Sequence, residues 1–147
     1  MAEVSSKVEF DASARDLWGI VSDFGGVSKY NPIVTKVITE GTGVGSKRIC
    51  TIQIPSQKSF DVDEILEDQD DNKMSLVIKI VQAPPPFSGM VVRVQVSELE
   101  QNKSQVEWFV NFHSGEMPEA DATKMVESLV GQIADAYKEY LKNGGVS

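Results

Sequence analysis

Polar and apolar residues alternate from the first positions of the chain. Val4, Ser6, Val8 and Phe10 fall on one side, and Ser5, Lys7 and Glu9 on the other. A repeat of two predicts a strand with one face covered. Ser13-Ala14-Arg15-Asp16 has capping-box spacing. Leu17, Trp18, Ile20, Val21 and Phe24 then recur at helical steps, which predicts a short amphipathic helix. Gly25-Gly26 is expected to break it, and residues 27–31 to form a second short helical piece stopped by Pro32. Strands are predicted over residues 34–40, 46–54, 59–67, 74–81, 90–99 and 104–113. The connections are a glycine-rich turn at 41–45, a turn at 55–58, a polar turn at 68–73, a proline-rich stretch at 83–89 and a tight turn at 101–103.

From residue 118 to 143 the repeat changes. Ala122, Met125, Val126, Leu129, Val130, Ile133, Tyr137, Tyr140 and Leu141 share one face of a long helix. At ~100° per residue this stripe covers about half the circumference, which predicts a helix lying in a concave partner. Pro118 suits the first turn, Glu119 and Asp121 sit near the positive end of the helix dipole, and Asn143, Gly144 and Gly145 end it. Consecutive strands joined by short turns imply an antiparallel sheet, so the expected class is α+β: one curved sheet against one closing helix.

Strand parity then sorts the inner face. Val106, Trp108, Val110 and Phe112 point one way, toward the helix, beside Val92, Val94, Val96, Leu76, Ile78 and Ile80. The turn at 55–58 sets Ile52 opposite Phe60, Cys50 opposite Val62 and Arg48 opposite Glu64. An opposite-charge pair therefore lies on the inner face of an otherwise apolar sheet. Burying either charge alone would cost several kcal/mol, so the two should contact each other or a polar ligand. The pair reads either as a register-fixing ion pair or as a polar anchor for a ligand carboxylate, carbonyl or phenolate.

Bulk properties narrow the partners. The 147 residues suit one domain, with a core that needs no metal or disulfide. A net charge of −8 and the lack of any Lys/Arg run argue against nucleic acid or anionic membrane. Cys50 is the one cysteine, so no internal disulfide forms. The first residues carry no secretory pattern and no apolar run spans a bilayer, so a cytoplasmic protein without membrane insertion is expected. The Asn102-Lys103-Ser104 triplet then carries no glycan.

Several residues in order resemble a known family. They are Val8-Glu9-Phe10 leading into Leu17-Trp18, then Asp23-Phe24 and Pro32; Glu40-Gly41-Thr42-Gly43-Val44-Gly45 before Arg48; Glu64 and Leu66; and Val106-Glu107-Trp108 with Phe112. Together they resemble the polyketide cyclase/dehydrase-like branch of the START and birch-pollen-allergen (SRPBCC) superfamily. The resemblance covers nearly the whole chain. It implies the helix-grip fold, a seven-stranded curved antiparallel sheet wrapping a long C-terminal helix around a cavity, with two short helices after the first strand. Residues 1–147 would then be a single ligand-binding domain. Tyr30 stands where many relatives have tryptophan, and Ile65 where an arginine often follows the glutamate. The family holds carriers, hormone receptors and cyclases, so fold does not fix chemistry.

The expected function is binding of a small, largely hydrophobic molecule: a lipid, a polyketide or another aromatic or isoprenoid metabolite. Its site would comprise Tyr30, Arg48, Phe60, Glu64, Val94, Trp108, Phe112, Met125 and Leu129. Tyr30 is expected near the cavity mouth, donating to the ligand or packing as a lid on the closing helix. A cyclase, dehydratase or isomerase is the alternative, with Glu64 as base and Arg48 or Tyr30 stabilising an enolate; an ion pair with Arg48 makes Glu64 a weak base for it. A protein-interaction module with an incidental cavity is the third reading. No cofactor and no metal is expected. Asp68, Asp70 and Asn72 open like a calcium loop, but Lys73 and Lys79 hold the positions of its glycine and its bidentate glutamate. The glycine turn lies between strands and precedes no helix N-terminus, so it is no phosphate loop. Val77, Val91 and Phe109 face outward, which fits a monomer with scattered apolar residues or a weak homodimer.

Overall fold

A computed structural model describes residues 2–84 and 87–143. Pro85, Pro86, Gly144 and Gly145, part of the expected connection and helix end, lie outside the described residues. Alternating residues build β1 (Ala2–Phe10), β2 (Val34–Glu40), β3 (Lys47–Ile52), β4 (Phe60–Asp70), β5 (Ser75–Gln82), β6 (Val91–Glu100) and β7 (Lys103–Phe112). All join one antiparallel sheet in the order β1-β7-β6-β5-β4-β3-β2. The helices are α1 (Ala14–Val21), a 3₁₀ segment (Phe24–Lys29) and α2 (Glu119–Lys142). This is the curved seven-stranded sheet with a closing helix that the pattern implies.

The glycine turn between β2 and β3 needs its glycines. Gly41, Gly43 and Gly45 all adopt positive φ, at 85°, 71° and 92°, where a Cβ is strained. In the turn between β4 and β5, the Asp70 carboxylate accepts from the backbone N–H of Asn72 and Lys73 at 3.0 and 3.1 Å. This acidic stretch is an Asx-type turn. β4 runs three residues past its expected end because Gln69 and Asp70 still pair with Leu76 and Ser75.

The stretch after α1 departs from expectation. Phe24 does not finish the helix, which closes when Ser22 N–H reaches Trp18 O at 2.8 Å. Gly25-Gly26 breaks the run as expected, because Gly26 is non-helical (φ −100°, ψ 15°) and forms a kink between two short helical pieces. Those pieces span Phe24–Lys29, however, and the break falls after α1 has already ended. A Cβ on Gly26 would collide with the Asp23 carboxylate, so glycine is what lets that carboxylate fold over the segment.

The fully covered line on α2 is narrower than the apolar stripe. It is Ala122, Val126, Val130 and Ala134, spaced four apart, with Met125, Leu129, Ile133, Tyr137, Tyr140 and Leu141 only half-buried beside it. The helix packs most closely on β1, α1 lies against β6 and β7, and the 3₁₀ segment lies against β2. The closing helix thus leans on one margin of the sheet and stands off its middle. On the outer face, Arg93 sits between Val77 and Phe109 in register and lays its guanidinium over the Phe109 ring at 4.6 Å. That cation covers part of the outward apolar set.

Two polar contacts lock the frame. Trp18 Nε1 donates to Asp71 Oδ1 at 3.1 Å, tying α1 to the β4–β5 turn. Ser104, wholly buried, donates its hydroxyl to Ala12 O at 2.7 Å, tying β7 to the start of α1. Ser104→Ala should lower unfolding free energy by about 1–2 kcal/mol, because the carbonyl loses its donor. Urea unfolding checks this: the midpoint should fall with its slope unchanged.

Candidate functional site

Where α2 stands off the sheet, a cavity of about 220 Å³ remains. Its floor is apolar because residues of six strands, β2 to β7, meet there, including Val62, Ile78, Val94, Trp108 and Val110. Val126, Leu129, Val130 and Ile133 of α2 form the roof. Val27 and Tyr30 close one flank, and Phe60 stacks with Phe87 at 6.2 Å on another.

Into this apolar surface the sheet inserts one charged pair. Arg48 and Glu64 are Cα partners on β3 and β4, as parity predicts. Arg48 Nε and Nη2 donate to Glu64 Oε2 and Oε1, both at 3.1 Å, a side-on bidentate pair. Arg48 Nη1 donates to Phe24 O at 2.6 Å, and the guanidinium lies over the Phe24 ring at 4.2 Å. Burial alone would lower the Arg48 pKa; the Glu64 charge and its hydrogen bonds outweigh this and raise it. Arg48 is only 8% exposed, and its charge is balanced within the protein by Glu64.

Cys50 completes the cluster. Its thiol donates to Glu64 Oε2 at 3.1 Å. Burial, then the neighbouring Glu64 charge, push its pKa up to about 12, with Arg48 opposing. It is a donor that helps hold Glu64, not a nucleophile. Both Glu64 oxygens are therefore occupied, by two N–H groups and one S–H.

Tyr30 lies on the cavity wall, but its hydroxyl donates to Asp23 Oδ2 at 2.8 Å. Burial, followed by that bond and the Asp23 charge, raises its pKa. Lys29 Nζ stands 3.5 Å from the same carboxylate oxygen. The Tyr30 ring meets Tyr137 and Tyr140 of α2 edge-on, at 6.2 and 4.8 Å. Of its two expected roles the geometry takes the lid: Tyr30 fastens the 3₁₀ segment to α2 and spends its proton inside the protein.

Of the other residues singled out in the sequence, Phe60, Val94, Trp108 and Leu129 line the cavity. Phe112 and Met125 do not. Phe112 is wholly buried at the end of β7, opposite Ala2, where the sheet and its neighbours pack without a gap. Met125 is half-buried one residue before Val126, the first position of α2 that lines the cavity. Parity alone cannot tell a packed inward position from one over a void. The sequence reading passed over Tyr137, a cavity residue, as part of the apolar stripe. Its signal was a hydroxyl in the middle of that stripe, four residues after Ile133 and eight after Leu129. Among the described residues, no group of three or more His, Cys, Asp or Glu side chains gathers as a metal site, and no helix is long and apolar enough to cross a membrane.

Comparisons with known proteins agree with this frame. A family model described as "Polyketide cyclase / dehydrase and lipid transport" matches residues 1–142. No curated protein matches. Among solved structures, XoxI from Bacillus cereus superposes with a TM-score of 0.83 at 22% identity, over 100% of both chains. A START superfamily protein from Mycobacterium smegmatis gives 0.83 at 18%, covering 96% of this chain and 97% of that one. The di-domain ARO/CYC BexL from the BE-7585A biosynthetic pathway gives 0.82 at 13%, with 97% of this chain matching 47% of it. Each is a likeness of fold.

The charged cluster makes two predictions. Arg48→Met should cost about 3–5 kcal/mol by stranding Glu64, while Arg48→Met with Glu64→Leu should recover most of that loss in denaturant unfolding. Cys50 should react with iodoacetamide about a thousandfold more slowly in the native protein than in urea, in line with its rise from 9.0 to about 12. Because the raised value favours the neutral thiol, its stabilisation is complete below about pH 9 and is lost as pH climbs toward about 12.

Proposed function

The chain belongs to the polyketide cyclase / dehydrase and lipid transport family, and from that premise we propose that its cavity binds a small, largely hydrophobic molecule. The observation that carries this reading is the void itself, apolar on floor and roof, with one neutralised charged pair set into its wall. A core with no ligand to hold would gain by filling it, since empty apolar volume costs stability. Ligand pockets commonly measure ~300–1,000 Å³, so a cavity of about 220 Å³ suits a molecule of one or two rings better than a long acyl chain. Affinity comes from burying that body against Val94, Trp108 and Leu129, at ~25 cal/mol per Å² before binding costs. A net charge of −8 points the same way, to a neutral or apolar partner rather than nucleic acid or an anionic membrane. Nothing in this reading requires a cofactor.

The cyclase reading has less support. Glu64 already accepts two Arg48 N–H groups and the Cys50 thiol, three of its roughly four acceptor positions, so taking a substrate proton would compete with the bonds that neutralise Arg48. Glu64 works here as the support that keeps Arg48 in place.

Trp108 lines the cavity and Trp18, the other tryptophan, does not. In the Trp18→Phe protein, naphthalene should therefore change Trp108 fluorescence saturably, with one site per chain. Val94→Phe grows a ring into the void beside Trp108, its register partner. It should weaken naphthalene by about tenfold or more, while the melting temperature holds. A titration that never saturates, or equal binding by Val94→Phe, would remove the ligand-site reading.

A further inference from the structure

Most polar hydrogens around the cavity are already committed. Tyr30 gives its proton to Asp23, and Cys50 gives its to Glu64. Arg48 spends three N–H groups on Glu64 and Phe24 O, and a guanidinium has more than that to offer. Of the remaining polar side chains, Gln132 is exposed, and Asn31 accepts from the Ile33 N–H at 3.3 Å.

Tyr137 is the exception. Among the described residues, no group exchanges a hydrogen bond with its hydroxyl. Every fully enclosed side-chain nitrogen or oxygen of those residues does have a partner, so the Tyr137 oxygen keeps open surface, and Tyr137 lines the cavity. Its ring is fixed by Phe10, Tyr30 and Trp108, with centroids 6.4, 6.2 and 6.2 Å away. Burial pushes its pKa up to about 12, with the Arg48 charge close enough to pull it back in part. At neutral pH the group is an O–H donor in the lining of the same cavity as Arg48, a guanidinium that has N–H groups beyond the three it spends.

Two donors without an acceptor select an acceptor in the ligand. The charge of that acceptor follows from Glu64. Arg48 is already neutralised, so an incoming carboxylate would lose its hydration, gain no net counter-charge and meet a like charge across the guanidinium. A carbonyl oxygen takes the same two donors and carries no charge to desolvate. We propose that Tyr137 and Arg48 together form a carbonyl-binding subsite, so that the cavity selects neutral ligands bearing a ketone or similar carbonyl over carboxylates of the same shape. The inference rests on the cavity being a ligand site.

Three probes with one two-ring body test it: naphthalene, 2-acetylnaphthalene and 2-naphthoate, titrated against Trp108 fluorescence in the Trp18→Phe protein at pH 7. The ketone should bind about tenfold more tightly than naphthalene, and naphthoate no better than naphthalene. Adding Tyr137→Phe should remove most of the ketone's advantage over naphthalene, both measured in the same variant, and an unchanged melting curve by circular dichroism checks that the variant is folded. Glu64→Gln removes the counter-charge and should raise naphthoate affinity by about tenfold or more. Naphthoate binding as tightly as the ketone, or a ketone-to-naphthalene ratio that Tyr137→Phe leaves unchanged, would overturn the subsite alone. If naphthalene and both derivatives fail to bind, the ligand-site reading falls and the subsite falls with it.

Discussion

A guanidinium shut away from water must be neutralised and hydrogen-bonded by protein, and Arg48 spends three of its N–H groups in this way. Glu64 takes two of its N–H groups, Phe24 O takes a third, and the Phe24 ring covers its face. This one requirement connects three parts of the fold. It pins the register of β3 against β4, it draws the 3₁₀ segment onto the sheet, and it forces a polar patch into a surface that is otherwise hydrocarbon. The apolar core supplies most of the folding free energy. The pair specifies which arrangement of that core is adopted, because any shift that separates the two strands by one residue strands a charge.

The second constraint is where α2 rests. Its close packing is against β1, and its covered line holds alanine at both ends, Ala122 and Ala134. Small residues let one margin of the helix sit low. The half-buried Leu129, Ile133 and Tyr137 then hang over the middle of the sheet without reaching it, and the gap is the cavity. A roof of flexible aliphatic side chains over a rigid floor of β-branched residues can adjust to shape, whereas the Arg48–Glu64 pair cannot. Shape tolerance and polar selectivity thus come from different walls.

Much of the frame was legible in the sequence because strands obey strict parity. The alternation in β7 puts Trp108 and Val110 inward, and the turn at 55–58 puts Arg48 opposite Glu64, the register the sheet adopts. The resemblance supplied the helix-grip topology that local patterns do not contain. What stayed hidden depends on distance between layers. Phe112 and Trp108 have the same parity on the same strand, yet only Trp108 faces a void. Tyr137 looked like one more apolar residue in a helical stripe, since its hydroxyl matters only because nothing nearby claims it. In the run from Ser22 to Tyr30 the glycines signalled a real break at Gly26, but not that α1 ends earlier, at Val21, nor that Gly26 also serves a close approach of Asp23.

That close approach makes a residue without a side chain a determinant of one flank of the cavity. Asp23 occupies the space that any Cβ on Gly26 would need, and the same carboxylate holds the Tyr30 hydroxyl and neighbours Lys29. Crowding at Gly26 is therefore transmitted outward, from Asp23 to Tyr30 and through Tyr30 to the rings of α2. Variation at this one position thus bears on how the 3₁₀ segment sits against α2, although Gly26 itself does not line the cavity.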